Sequence, residues 1–258
     1  MVHKDFGKHG RIIGALMMRE MITRYGREGI GFFWLIAEPL MFCSGVLIMW
    51  SFIKPPYEHG VRLAPFLMTG YMSLLLLRHI IAHCLTAVQA NVGLLYHRQI
   101  TILHIYISRW LTELAGASIA FLVVYVVLFA LGQVAPPHDL LLIYSGWILM
   151  ALVALGIALI FSALAIEFEI VERIVQVVMY LMIPASGAFV MAAWIPDSYR
   201  NNYLWVPMPN AVEMVRAGVF GEFVRTYYHT GYLAGCAAIL IVVGLLMVAR
   251  AKKHLEIE

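Results

Sequence analysis

Residues 19–39 read REMITRYGREGIGFFWLIAEP, and the stretch changes character midway. Arg19, Glu20, Arg24, Arg27 and Glu28 crowd its first half. Glycines and aromatics follow, and then an apolar run begins that still carries Glu38 and Pro39 and continues to Ile53. From Trp34 onward the run has the length, about 20 residues at 1.5 Å each, that crosses a hydrocarbon layer roughly 30 Å thick. The rest of the 258-residue chain repeats the theme, being 62% hydrophobic and only 13% charged, with a mean hydropathy of +0.85. A soluble domain of this length cannot hide that much apolar surface in one core, so the excess faces lipid. The expected fold class is an all-α polytopic membrane protein.

Six stretches qualify as spans, at about 34–53, 63–83, 105–131, 140–166, 174–195 and 230–249. Orientation follows from Lys and Arg. With six spans both termini share a side. That side collects Lys4, Lys8, Arg11, Arg19, Arg24, Arg27, Arg98, Arg109, Arg173, Arg250, Lys252 and Lys253. The opposite side has Lys54, Arg62, Arg200, Arg216 and Arg225, which puts both termini in the cytoplasm. The net charge of +3 therefore reads as a topology signal rather than a nucleic-acid partner. Cys43, Cys84 and Cys236 lie scattered in apolar segments, as small hydrophobes rather than a disulfide framework or metal cluster. Charge recurs through Glu28, so the N-terminus is no secretory signal.

Two segments are neither span nor simple loop. Residues 8–27 put Lys8, Arg19, Glu20 and Arg27 on one half of a helix and Ile13, Met17, Met18, Met21, Ile22 and Tyr25 on the other. This amphipathic pattern predicts an interface helix on the cytoplasmic leaflet, within an N-terminal unit of residues 1–33. Residues 196–229 are aromatic and apolar, yet Pro196, Pro207, Pro209 and several charges forbid a straight span. Asn210 and Glu213 have the spacing of a helix N-cap and its third helical residue. A short re-entrant helix, tolerated if packed against protein, is the expectation, with Arg216 pairing to Glu213 one turn away.

Signatures of catalysis are sparse. No G-x-x-x-x-G-K-[ST] occurs, so the chain holds no ATP in a P-loop, and after Gly29-x-Gly31 the third glycine of a dinucleotide fingerprint is replaced by Trp34. His79 and His83 share a helix face but bracket no glutamate, which argues against a metal. Arg109 and Glu113, at i and i+4, are expected to neutralise one another. Arg78 is the one basic residue expected inside the hydrophobic core, well past the start of its span. It lines a translocation path with His79 and His83, snorkels to headgroups, or pairs with a neighbouring span.

Several of these stretches, in order, resemble the permease subunits of capsular polysaccharide ABC exporters of the ABC-2 type. The resemblance runs through Arg19-Glu20, Thr23-Arg24-Tyr25-Gly26, Gly31, Trp34 and Glu38-Pro39, then Phe66-Leu67-Met68-Thr69-Gly70 and Gln89-Ala90-Asn91-x-Gly93-Leu94. It ends at Leu204-Trp205-x-Pro207 with Glu213 and Arg216. Val206 and Asn210 depart from the usual asparagine and histidine. The resemblance implies a homodimeric transmembrane domain over 34–258, bound to two copies of a separate ABC ATPase that holds the ATP and Mg. The chain itself then carries no cofactor. The implied substrate is a lipid-linked acidic polysaccharide leaving across the inner membrane, with periplasmic export proteins and membrane lipids as further partners. It also implies that residues 91–104, through Asn91, Gly93, Leu94 and Leu95, form a coupling segment that docks on the ATPase. In that frame residues 8–27 lie flat, Gly29 and Gly31 turn the chain upward and Trp34 anchors at the interface. Glu38 pairs with a basic residue such as Arg24, and Pro39 either bends the first span at a gate or starts its helix. Trp205, Asn210, Glu213 and Arg216 belong to the outer re-entrant helix. Exporters of O-antigen, teichoic acid or drugs share the architecture. An intramembrane lipid-modifying enzyme would draw on Arg78, His79 and His83 but needs more convergent acid–base groups.

Overall fold

The structure is a computed structural model that describes residues 2–25, 31–95 and 99–255. Among these are ten α-helices and one short hairpin: α1 (Val2–Tyr25), α2 (Gly31–Ile53), β1 (Tyr57–Glu58), β2 (Val61–Arg62), α3 (Leu63–Leu85), α4 (Val92–Leu95), α5 (Ile102–Ala130), α6 (Leu140–Glu167), α7 (Ile170–Leu181), α8 (Asp197–Leu204), α9 (Pro207–Phe220) and α10 (Thr230–Leu255). Five helices are long and apolar enough to cross a membrane: α2, α3, α5, α6 and α10. They match the expected spans near 34–53, 63–83, 105–131, 140–166 and 230–249.

Burial ranks these helices. The apolar window of α3 is 78% buried against 17% for α2 and 22% for α10, so α3 is the central strut and the other two are peripheral. Around α3 the core is continuous, from Met68 and Leu76 through Tyr106 and Ala120 to Met150, Ala154 and Val215. One end of the bundle carries α1, α4 and the α6–α7 turn. The other carries the β1–β2 hairpin, the α5–α6 turn and α9, whose Gly218 carbonyl accepts the N–H groups of His138 and Asp139 just before α6. Asp139 then caps α6, its carboxylate accepting from the Leu142 N–H at 3.0 Å.

The stretch 174–195 is not the single spanning helix expected from its composition. α7 stops at Leu181 after 12 residues, about 18 Å of helix, well short of a bilayer core. The chain continues as two single 3₁₀ turns, Pro184–Ser186 and Ala192–Trp194, with Gly187 between them at φ +82°. Pro184 withholds a helical N–H, and Gly187 adopts a left-handed conformation that reverses the chain. This broken segment presses against its neighbours. A Cβ on Gly70 of α3 would lie 2.0 Å from the Ala188 carbonyl oxygen, and one on Gly187 would lie 2.9 Å from Pro209 Cα.

Two further boundaries differ from expectation. α1 begins at Val2, well before residue 8, and its backbone continues to Tyr25; the Tyr25 side chain and the Gly26–Ile30 turn lie outside the described residues. α9 begins at Pro207 with Val206 at the N-cap, so Asn210 sits within the first turn rather than capping it. Proline at the first helical position, where an N–H would go unused, sets this earlier start.

Candidate functional site

A polar network crosses three helices at the end of the bundle that carries α1. α5 opens with a reciprocal cap: the Thr101 hydroxyl accepts from the His104 N–H, and the Thr101 N–H donates to His104 Nδ1 at 3.1 Å. The other ring nitrogen of His104 lies 2.7 Å from Nδ1 of His9 on α1. Further along the same two helices, Glu20 and Arg24 of α1 meet Arg109 and Glu113 of α5. Arg24 donates to Glu20 at 2.7 Å and to Glu113, while Arg109 lies 3.3 Å from the Glu20 carboxylate and donates to the His83 carbonyl. Burial opposes the charge on Arg24, but Glu113 and Glu20 outweigh it and hold the guanidinium above its ordinary pKa.

The expected pairing of Arg109 with Glu113 therefore gives way to pairs between helices. Arg preceding Glu by four residues is the weaker order within a helix, whereas Glu20 before Arg24 is the stronger one and does form. Across the gap the two sets run in reversed order, so each charge meets its opposite. Glu113 is 2% exposed, which makes these partners obligatory.

Glu38 was expected to pair with a basic residue of the interface helix such as Arg24, but Arg24 is engaged by Glu20 and Glu113 instead. Pro39 is buried in the interior of α2, not at its start, and Trp34 is exposed near the beginning of that helix. The expected group of Arg78, His79 and His83 divides between two sides of α3. His79 and His83 approach the Glu113 carboxylate at 3.9 and 3.7 Å. Arg78 turns to α7, its guanidinium 4.7 Å from the centre of the Tyr180 ring. The histidines thus look onto carboxylates rather than forming an anion-binding face with Arg78. Among the described residues no three His, Cys, Asp or Glu side chains converge as a metal site.

The segment between α3 and α5 is tied to both flanks of this network. Asn91, in a 3₁₀ turn over Gln89–Asn91, accepts from Arg19 of α1 at 2.8 Å and donates to the Ala87 carbonyl. Gln89 donates to Glu172 of α7 at 3.2 Å and to the Ala165 carbonyl of α6. Within α4, Val92 and Gly93 are exposed and Leu94 is half-buried, whereas Leu95 packs onto the core of its own bundle.

At the other end, α9 holds the broken segment in place through side chains that replace a helical ladder. Arg216, fully buried over the Phe66 ring, donates to the Ala188 carbonyl at 2.9 Å and the Val190 carbonyl at 3.0 Å. Glu213 accepts from the N–H groups of Ala192 at 3.3 Å and Tyr227 at 3.1 Å. The contact between Glu213 and Arg216 themselves is the longest of the set, 3.4 Å. Asn210 donates to the Leu204 carbonyl and accepts from the His229 N–H, tying α8 to the start of α10. Trp205 is exposed, its carbonyl accepting from the Tyr232 hydroxyl.

Sequence reasoning found Glu213, Arg216 and Asn91, and the expected Glu213–Arg216 contact is present, but it missed their backbone partners and the Arg19 partner of Asn91, and it missed Glu20 and Gln89 as network members. One signal was available: the Glu-x-x-x-Arg of α1 and the Arg-x-x-x-Glu of α5 are complementary strings.

The pattern that defines ABC-2 type transporters matches residues 11–220. The chain is 37% identical over 246 residues to the capsule polysaccharide export inner-membrane protein CtrC of Neisseria meningitidis, covering 95% of this chain and 93% of that protein. It is 38% identical over 247 residues to BexB of Haemophilus influenzae, which bears the same description, covering 96% and 93%. The polysialic acid transport protein KpsM of Escherichia coli is 23% identical over 245 residues. A match over most of its length makes the chain a member of the ABC-2 type transporter family.

Proposed function

We propose that the chain is the permease subunit of an ABC transporter that exports capsular polysaccharide across the inner membrane, and that it is a transporter component rather than an enzyme. The observation that carries this reading is the 37–38% identity to capsule export proteins over 93% of their length. The substrate is read as a lipid-linked acidic polymer, in keeping with the polysialic acid relative. The chain works as a homodimer with two copies of an ATPase subunit, which holds the ATP and Mg. The sparse burial of α2 and α10 supports an assembly in which further protein or lipid covers them.

The bundle end that carries α1 and α4 is cytoplasmic, as the Lys and Arg distribution supports. The fifth crossing is the discontinuous stretch from α7 through Trp194, and α8–α9 is a re-entrant outer segment. Irregular backbone at membrane depth is tolerated where protein satisfies it, which is what Arg216 and Glu213 do. Work enters at the 91–104 segment. A push on α4 passes by Asn91–Arg19 to α1 and by Gln89–Glu172 to α7. From α1 it passes through the Glu20, Arg24, Arg109 and Glu113 pairs to α5 and α3.

Deleting the gene from an encapsulated strain tests the reading. Loss of surface polymer with intracellular accumulation, and recovery of a stoichiometric ATPase with the tagged permease, are expected. Normal capsule in the deletion strain, or no ATPase partner, refutes it.

A further inference from the structure

A cavity of about 520 Å³ opens at the end of the bundle opposite α1, between the β1–β2 hairpin, the α5–α6 turn and the 3₁₀ turn Gly221–Phe223 that follows α9. That volume falls in the range of small-molecule sites, roughly 300–1,000 Å³. We propose that this cavity is an exit-side subsite for a carboxylate-bearing sugar residue of the exported polymer, with Arg62 as the carboxylate ligand and Tyr57 and Phe223 as stacking surfaces. The inference rests on the export reading and on the orientation given with it.

The chemistry of the lining points to an acidic sugar. Arg62 is held at the rim, its Nε donating to the Tyr57 hydroxyl at 2.9 Å and one Nη donating to the Gly132 carbonyl. These bonds use two of five guanidinium N–H donors, leaving three on an exposed, oriented fork suited to a carboxylate. Both anchors carry backbone demands: Gly132 has φ +67°, and the hairpin that carries Tyr57 and Arg62 turns through His59 at φ +49° and Gly60 at φ +82°. The guanidinium is thereby fixed between two turns rather than swinging from one. No carboxylate among the described residues lines the cavity. Tyr57 and Phe223 are 52% and 80% exposed, flat faces for the C–H side of a pyranose ring. The Gln133 side chain and the backbone at Gly60 supply donors and acceptors of the kind hydroxyls need, beyond what a phosphate headgroup would use. An aromatic belt at the membrane interface would explain the rings but not the oriented cation.

The experiment uses the purified permease–ATPase complex, a tetramer of N-acetylneuraminic acid as probe and maltotetraose as the neutral control, with binding read by saturation-transfer NMR. The acidic tetramer is expected to bind and the neutral one to bind about tenfold or more weakly, as for loss of a charge-assisted hydrogen bond. Arg62→Gln should weaken the acidic tetramer to the level of the neutral one. Phe223→Ala, at a side chain with almost no packing role, should weaken both tetramers without changing the melting temperature. Equal binding of the two tetramers, no binding by the wild type, or wild-type binding by Phe223→Ala overturns the subsite. Capsule restoration by the wild-type gene in the deletion strain separates the two readings. If it restores capsule while the tetramer does not bind, only the subsite falls; if it does not restore capsule, the export reading falls.

Discussion

Exchanging the charges at positions 213 and 216 separates two views of this pair. If Glu213 and Arg216 mattered chiefly to each other, the swap Glu213→Arg with Arg216→Glu would rebuild the attraction and rescue either single change. The geometry predicts the reverse. Arg216 serves two carbonyls, of Ala188 and Val190, and Glu213 serves two N–H groups, of Ala192 and Tyr227. After the swap a carboxylate faces the carbonyls and a guanidinium faces the N–H groups, so four contacts turn repulsive while one 3.4 Å contact is kept. Arg216→Leu alone strands two buried carbonyls at about 1–3 kcal/mol each and a buried carboxylate without its cation at about 3–5 kcal/mol. The total is at least about 5 kcal/mol, comparable to the whole stability of an ordinary domain. Both single variants and the swap should therefore lose most of the folded permease, with Arg216→Lys intermediate because it keeps charge but not the fork. Fluorescence-detected size exclusion of a tagged permease gives the folded fraction, and its thermal series gives the melting temperature. A swap variant that regains near wild-type folding and export would refute the reasoning.

The cross-helix pairs predict a coupling of about 0.5–3 kcal/mol between Arg24→Gln and Glu113→Gln in a double-mutant cycle on thermal stability, and additive effects would remove the pair from the network. On α4, Val92→Asp should abolish ATPase co-purification while the permease stays folded, whereas Leu95→Asp should lower the folded fraction because Leu95 packs on its own core; the opposite pattern would turn the contact face around. Gly187→Ala should cost at least about 1–2 kcal/mol for its left-handed backbone, with the crowding at Pro209 added. Gly70→Ala should be worse, since its Cβ would fall 2.0 Å from the Ala188 oxygen; wild-type melting in either variant would contradict the close packing.

Five crossings were legible because each is a long apolar run bounded by Pro, Gly or charge, a local signal that composition reports. The stretch 174–195 has the same composition and misleads. What breaks it is Pro184 together with the left-handed Gly187, in a segment that packs closely on Pro209 and Gly70, both outside the stretch. The candidate residues were legible for a related reason: Arg78, Glu113, Glu213 and Arg216 stand out as charges in apolar surroundings. Apart from the contact of Glu213 with Arg216, their partners were not. Arg24 and Glu113 are 89 positions apart, and Arg216 reaches back 28 positions to Ala188, so a reading at helical spacing pairs each charge with its neighbour instead. Arg78 shows the same limit, since only the packing of α7 brings Tyr180 over its guanidinium.

The His9–His104 contact fixes where protons sit. His104 Nδ1 accepts from the Thr101 N–H, so its single proton resides on Nε2 and is donated to His9 Nδ1, which leaves the His9 proton on its own Nε2. The relay has room for one proton per ring. A proton on His104 Nδ1 would end the acceptance from the Thr101 N–H, half of the reciprocal cap, and leave the Nε2–H donation to His9 in place. The N-terminal half of α1 is thereby joined to the first turn of α5 through a single shared proton, a tie separate from the carboxylate–guanidinium pairs near Arg24 that hold α1 at its other half.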